Sequence, residues 1–246
     1  MGKNQKYHHQ TKMEFDIFKK NKETNMSFLF IFNDPKLSES AKLLFHYIYS
    51  KAISNGNNDF SDNTLIQDVG ITASAVKRGM KELKQRGWIK TGMVSTRTGS
   101  KRSISIDYNQ LRKACPRQPS SEYELGTFKD FAKNKKDRIN PNAIATYVLC
   151  SSHSQVFMSI RPILYDRNLT PRSRILFQII SSLVLFKGYC FAGNNFFEDK
   201  LGVNQTTISK HLTLLENDGV IKIEYGGNRK IYLEFGELKK RYLKRV

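Results

Sequence analysis

The chain contains one segment twice. Shifting the sequence by 132 positions aligns residues 26–90 with residues 158–222 without a gap, and 16 of these 65 positions are identical. Ordinary amino-acid composition would give only about four identities. After a length change the register resumes at a shift of 127, where residues 101–108 face residues 228–235. We therefore expect two copies of one folding unit, residues 26–108 and residues 158–235, with the length change in a surface loop.

Each copy has the sequence pattern of three helices. The apolar residues that predict the first helix are Leu43, Leu44, Tyr47 and Ile48 in the first copy and Ile175, Leu176, Ile179 and Ile180 in the second. A short second helix ends at Gly70 or Gly202, because glycine readily takes the positive φ that a sharp turn requires. Thr72 or Asn204 is the predicted N-cap of the third helix. The stripe that this third helix would bury is Val76, Met80 and Leu83 in the first copy and Ile208, Leu212 and Leu215 in the second.

A hairpin follows the third helix in each copy. In the second copy the predicted strands are residues 220–225 and 231–235, and residues 226–230 join them in a tight turn with a basic tip. The predicted fold class is therefore α+β, mainly α. The expected organisation is a basic N-terminal tail over residues 1–25, a first domain over 26–114, a linker over 115–156 and a second domain over 157–246.

This order of elements resembles the winged helix-turn-helix domain, and two copies would make a tandem winged-helix protein. The segment from Gly202 to Lys210, with its glycine turn, polar cap, Thr-Ile pair and polar-basic pair, is similar to a common bacterial helix-turn-helix pattern. The segment from Gly70 to Arg78 departs from that pattern at Ala73 and Ala75. The first domain therefore matches the DNA-reading pattern less closely, and for this domain the alternative to contact with bases is that it mainly dimerises.

In helix-turn-helix folds the N-terminal part of the last of these helices enters the DNA major groove. The candidate DNA-binding residues on this helix are Gln205, Thr206, Ser209 and Lys210 in the second copy and Ser74, Lys77, Arg78 and Lys81 in the first. An amide, two hydroxyls and a cation suit base edges, whereas three cations in four positions favour phosphates. We therefore expect the second domain to supply most of the sequence discrimination and the first to supply mainly affinity and register. The hairpins would add Arg97, Lys101, Arg102, Arg229 and Lys230 against the DNA backbone or the minor groove.

The net charge supports a polyanionic partner. The chain carries 41 Lys and Arg against 22 Asp and Glu, a formal charge of +19, which favours nucleic acid first and an anionic membrane second. The longest apolar stretch, residues 175–186, is shorter than the roughly 20 residues that cross a bilayer, so it predicts a buried helix and no membrane partner. Three widely spaced cysteines favour a reducing, cytoplasmic compartment.

No catalytic or cofactor motif is present in the sequence. It lacks a phosphate-binding GxxxxGK[ST] loop and a nucleophile motif with a supporting histidine. His8 and His9 have no further metal ligands at useful spacing, so we expect neither a metal nor a cofactor. The sequence therefore predicts a binding protein rather than an enzyme.

Two such domains in a basic chain of this length resemble the iteron-binding replication initiators of bacterial plasmids. The resemblance implies binding to directly repeated sites in double-stranded DNA at an origin, a homodimer formed through the first domain, and contact with host replication proteins. The main alternative is a transcriptional regulator, such as a repressor, of a phage or mobile element. A winged-helix adaptor that binds proteins is a further alternative from a different class.

Overall fold

The computed structural model describes residues 10–17, 24–55, 60–96, 99–115, 156–226 and 228–243. The described chain is mainly helical with small antiparallel sheets. It forms two compact units. One contains residues 26–31 and the first copy from residue 37 onward, and the other contains the N-terminal residues, residues 32–36 and the chain from residue 158.

The elements up to the end of the first copy are α1 (10–17), β1 (Thr24–Phe28), α2 (Leu29–Phe32), α3 (Glu39–Asn55), α4 (Asp62–Val69), α5 (Ala73–Gln85), β2 (Ile89–Thr96), β3 (Gly99–Ile106) and α6 (Tyr108–Ala114). Strands β2 and β3 pair antiparallel, with Ile89 opposite Ile106 and Thr96 opposite Gly99.

The second copy repeats this order. Its elements are β4 (Val156–Ile160), α7 (Arg161–Tyr165), α8 (Pro171–Lys187), α9 (Asn194–Leu201), α10 (Gln205–Asn217), β5 (Ile221–Glu224), β6 (Lys230–Leu233) and α11 (Phe235–Tyr242). Helices α8, α9 and α10 begin and end at the residues 132 positions after the ends of α3, α4 and α5. Helices α6 and α11 begin 127 positions apart, at Tyr108 and Phe235. The internal repeat is therefore confirmed as a repeat of secondary structure.

The turn between the second and third helices forms as the sequence predicts. Gly70 and Gly202 both have φ of 66°, a left-handed conformation that is strained for residues with a Cβ. The backbone N–H of Ala75 donates to Thr72 Oγ1 at 3.3 Å, and that of Thr207 donates to Asn204 Oδ1 at 2.9 Å. Both predicted caps are confirmed, so the start of each third helix is set by its own sequence.

The long helix of the second copy is buried despite its polar side chains. Gln178, Ser181 and Ser182 of α8 are all buried together with the apolar residues from Ile175 to Ile180. This confirms the prediction of a buried helix. Among the described residues, no helix combines the length and the apolar character that crossing a bilayer would require.

Helix α3 and its counterpart α8 carry different polar side chains at one equivalent buried position. In the first copy, His46 Nε2 accepts a hydrogen bond from the backbone N–H of Phe28, 3.1 Å away, and its Nδ1 lies 2.7 Å from the carbonyl oxygen of Lys42. In the second copy, Gln178 Nε2 donates to the carbonyl oxygen of Ile160 at 3.2 Å. Both side chains tie the first helix to the end of the preceding strand, and burial lowers the pKa of His46 to about 4.

Helix α5 packs on α3 in the first copy and α10 packs on α8 in the second, through different side chains. Gly79 faces α3 so closely that an added Cβ would lie 2.8 Å from Leu44 Cδ1 and 3.0 Å from the backbone nitrogen of Ala41. Its counterpart is His211, whose Nδ1 shares a hydrogen bond of 2.9 Å with Ser173 Oγ. Ser173 in turn occupies the position of Ala41. A small-residue contact in one copy is thus a buried polar contact in the other.

Part of the predicted N-terminal tail is folded. Residues 10–17 form helix α1, in which Phe15 is buried and its ring centre lies 5.6 Å from that of Phe235. Glu14 pairs with Lys239 at 2.9 Å. The helix forms because Phe15 finds an apolar partner on α11, which the local sequence does not reveal. Residues 1–9, 18–23 and the predicted linker from 116 to 155 lie outside the described residues.

We expect His46→Gln to reduce the pH dependence of stability between about pH 4 and pH 6.5. Histidine in the unfolded chain takes up a proton near pH 6.5, whereas buried His46 stays neutral down to about pH 4. The unfolded state therefore binds more protons in this window, and the free energy of unfolding falls by up to about 1.4 kcal/mol per unit of decreasing pH. Glutamine, the residue at the equivalent position 178, does not titrate there.

Urea unfolding of the wild type and His46→Gln at about pH 7 and pH 5 measures this effect. Comparing the two proteins at each pH cancels the contributions of all other titrating groups. A stability difference between them that is the same at both pH values would contradict the assignment of a neutral, buried His46.

Candidate nucleic-acid interface

One face of the third helix in the second copy is exposed and polar. Ile208, Leu212 and Leu215 are buried on the opposite side of α10. The four predicted residues are all exposed and follow one another along a single surface: Gln205, Thr206, Ser209 and Lys210. Thr213 is also exposed and extends this face by one turn. The face therefore offers amide, hydroxyl and ammonium groups over about two turns of helix.

The corresponding face in the first copy is cationic. Val76, Met80 and Leu83 are buried in α5, and the predicted residues Ser74, Lys77, Arg78 and Lys81 are all exposed. Lys84 is exposed one turn further on. Ser74 is partly committed to the helix start, because its Oγ lies 3.1 Å from Thr72 Oγ1. What remains on this face is a row of positive charges.

These cations have no acidic partner among the residues that the structure describes. Within the described part of the chain, no carboxylate pairs with Lys77, Arg78, Lys81 or Lys210. The cations of α11 differ, since Arg241 bonds Glu237 Oε1 and Asp218 Oδ2, each at 2.7 Å. The hydrogen bond from Arg241 also holds the pKa of Glu237 below its usual value. The third-helix cations are therefore better candidates for contact with a polyanion than the cations of α11.

The hairpin of the second copy does not present the basic tip that the sequence predicts. Arg229 is half-buried, and it donates to Asn194 Oδ1 at 2.7 Å and to the carbonyl oxygen of Ala192 at 2.5 Å. Lys230 is also half-buried, with Nζ 5.0 Å from the centre of the Tyr189 ring. Both cations turn back onto the body of the domain because acceptors and an aromatic face lie within their reach. The exposed side chains at this tip include Tyr225 and Asn228.

The first copy holds an arginine in the same way. Arg102 donates to Asp62 Oδ1 at 2.6 Å and to the carbonyl oxygen of Phe60 at 3.3 Å. Arg102 is the counterpart of Arg229 at the shift of 127, and Asp62 and Phe60 are the counterparts of Asn194 and Ala192 at the shift of 132. We call each set an arginine clasp: Arg102 with Asp62 and Phe60, and Arg229 with Asn194 and Ala192. Each clasp joins the outgoing strand of the hairpin to the start of the second helix.

In the second copy the clasp continues to the third helix. Asn194 Oδ1 accepts from Arg229, and Asn194 Nδ2 donates to Ser209 Oγ at 2.8 Å. Ser209 is one of the four residues on the polar face of α10. Asn194 is not among the residues that the sequence pattern predicts, because an asparagine at the start of a helix is typical of ordinary capping.

Two predicted hairpin residues of the first copy have no described side chain. Arg97 lies outside the described residues, and Lys101 is described only as a residue of β3 opposite Val94.

The described residues contain no group of three or more His, Cys, Asp and Glu side chains arranged to hold a metal ion. Burial raises the pKa of the Cys190 thiol to about 11, so this thiol is neutral at pH 7. His8 and His9 also lie outside the described residues.

Comparisons of this chain with protein-family profiles, with curated proteins and with solved structures give no match. The chemistry of the two third-helix faces and the two clasps is therefore the basis for a function.

We expect Arg229→Ala to lower the free energy of unfolding by about 1–2 kcal/mol, because it removes charged hydrogen bonds from a half-buried site. Lys210→Ala is the matched control. It removes an exposed cation from the same domain and should change stability by less than about 0.5 kcal/mol. Urea denaturation measures both. Equal stability of the two variants would show that the clasp contributes nothing to the fold.

Proposed function

We propose that this chain is a sequence-specific double-stranded DNA-binding protein built from two winged-helix domains. Both copies have the order helix, helix, turn, helix, hairpin, which supports the winged-helix assignment. The observation that carries the function is the exposed polar face of α10, where Gln205, Thr206, Ser209 and Lys210 lie side by side opposite a buried stripe. A helix placed in this way can enter the major groove.

The two third helices have different roles in this proposal. Helix α10 reads base edges, because an amide such as Gln205 can bond adenine at two atoms and Lys210 can reach the acceptors of guanine. Helix α5 binds phosphates through Lys77, Arg78 and Lys81, which adds affinity without sequence preference. The first domain therefore sets affinity and register, and the second sets most of the specificity.

The biological role that we propose is replication initiation at directly repeated sites of a plasmid or mobile element. Two DNA-binding faces on one chain raise the effective concentration of the second face once the first has bound. A single chain can then occupy two neighbouring grooves. In this role the first domain also forms a homodimer, and the bound protein contacts host replication proteins.

A transcriptional regulator of a phage or mobile element is the second candidate, since the same two faces would also suit an operator. A protein-binding adaptor is less favoured, because the exposed cations of α5 have no carboxylate partners in the described chain and are suited to a polyanion.

The function can be tested by selecting duplexes from a randomised pool with the wild-type protein and measuring their binding by fluorescence anisotropy. Gln205→Ala and Lys210→Ala should each weaken binding to the selected duplex by about 1–3 kcal/mol and change binding to random duplex much less. Lys113→Ala, which removes an exposed cation of α6, is the control for a general loss of charge. Failure to enrich any sequence would contradict sequence-specific binding.

The cations of α5 should behave differently. Lys77→Ala, Arg78→Ala and Lys81→Ala should weaken binding to selected and random duplexes alike. Each should also reduce the slope of log affinity against log salt concentration by about one unit, because each cation neutralises one phosphate. Loss of binding to the selected duplex alone would remove the proposed difference between the two third helices.

Strand opening separates the initiator from the regulator. A supercoiled template should carry several direct copies of the selected site beside an AT-rich tract. An initiator should make thymines of that tract reactive to permanganate, whereas a regulator should leave them unreactive.

A further inference from the structure

The two most exposed large hydrophobic side chains of the described residues are Tyr225, with 79% of its surface exposed, and Met93, with 68% exposed. They occupy equivalent positions of the two copies, 132 residues apart. The residue types differ, but both are large and both are left in water. Leaving such a side chain exposed forfeits the favourable free energy of burial, and here it happens at the same site twice.

Both residues lie beside an arginine clasp. Met93 is opposite Arg102 in the β2–β3 register. Glu224 is opposite Lys230 in the β5–β6 register, so the next residue along, Tyr225, faces Arg229. Side chains alternate between the two faces of a strand, and Tyr225 therefore continues the row of buried Ile221 and Ile223 beyond the end of the core.

In the second copy the clasp connects the position of Tyr225 to the proposed DNA-binding face. Arg229 bonds Asn194, and Asn194 bonds Ser209 on the polar face of α10. Tyr225 therefore lies opposite Arg229, the first residue of a hydrogen-bonded series that ends at Ser209 on that face. Strand β5 contacts α10, so under the proposed function a duplex that receives α10 in its major groove would meet the hairpin at an adjoining groove.

We propose that Tyr225 and Met93 are apolar wedges that enter the minor groove next to the major groove that each third helix occupies, and that they partly unstack a base step there. This inference rests on the proposed DNA-binding function. Apolar side chains, methionine among them, are the groups that minor-groove proteins insert between base steps.

The charge of the whole chain and of its third helices favours DNA over a second copy of the chain as the occupant. The chain carries a net charge of +19, and within the described residues no carboxylate pairs with Lys210 or Arg78 on the neighbouring helices. Two such surfaces repel each other, whereas the duplex is a polyanion whose grooves have apolar walls. Self-association through these residues is the competing explanation for their exposure, and sedimentation of the free protein tests it.

The test uses the full chain and the duplex selected by the wild-type protein, with 2-aminopurine placed at successive positions across and beside the site. Wild-type protein should raise the 2-aminopurine fluorescence at a step in the minor groove flanking each major-groove contact. Tyr225→Ala should abolish the rise at one flank and Met93→Ala at the other. Binding should persist, weakened by less than about tenfold, because the third helices are unchanged.

Three controls make the result specific. Tyr225→Phe and Met93→Leu keep an apolar wedge and should retain the fluorescence rise. Val94→Ala alters an exposed apolar residue next to Met93 on the other face of the same strand, and it should have no effect. All variants should keep the wild-type thermal unfolding transition, since the altered side chains are exposed.

Several outcomes would overturn the proposal. The first is the absence of a fluorescence rise with wild-type protein bound, and the second is a rise that survives both alanine substitutions. The third is a change in sedimentation of the free Tyr225→Ala or Met93→Ala protein, which would place the two residues in a self-association interface. Failure of the selection to enrich any duplex is a different result, because it would refute sequence-specific DNA binding itself.

Discussion

The arginine clasp is the contact on which the proposed interface depends. A two-stranded hairpin is only marginally stable alone and needs packing against the helices. Buried side chains such as Ile104 and Ile223 supply the apolar part of that packing, and the polar end of each hairpin is held by specific contacts. Arg102 and Arg229 provide them, each bonding a side chain and a backbone carbonyl at the start of the second helix. The guanidinium suits this role because it presents several donors in a rigid plane.

The clasps differ in one atom that matters for the third helix. Asp62 offers only acceptors, so the clasp of the first copy is an ion pair that ends at the carboxylate. Asn194 accepts from Arg229 through its oxygen and still has an N–H to donate to Ser209. The amide in place of the carboxylate therefore connects the hairpin, the second helix and the third helix of the second copy. This is the copy whose third helix carries hydrogen-bonding rather than mainly cationic side chains. The two copies thus share one scaffold and differ in the chemistry of their surfaces.

The interiors of the two copies also keep the same helices and strands while their buried side chains differ. His46 and Gln178 join the first helix to the preceding strand with opposite hydrogen-bond polarity, one accepting and one donating. Gly79 allows a close helix contact where His211 and Ser173 share a hydrogen bond instead. Such compensation preserves element boundaries residue for residue, because the helix ends are set by local caps and glycines rather than by the core.

Comparison of the sequence with itself is enough to reveal the duplication. Local patterns are enough to predict the three helices and the hairpin of each copy, and the exposed face of each third helix. These follow from local periodicity, capping residues and glycine turns, all of which act over a few neighbouring residues. The contacts of Arg229 and Lys230, in contrast, depend on the folded structure, because their partners Asn194, Ala192 and Tyr189 are 35 to 41 residues away in sequence. The same holds for helix α1, which is ordered by the contact of Phe15 with Phe235. Charge and position in a hairpin predict an exposed cation, but the acceptors within its reach determine whether it faces solvent or the protein.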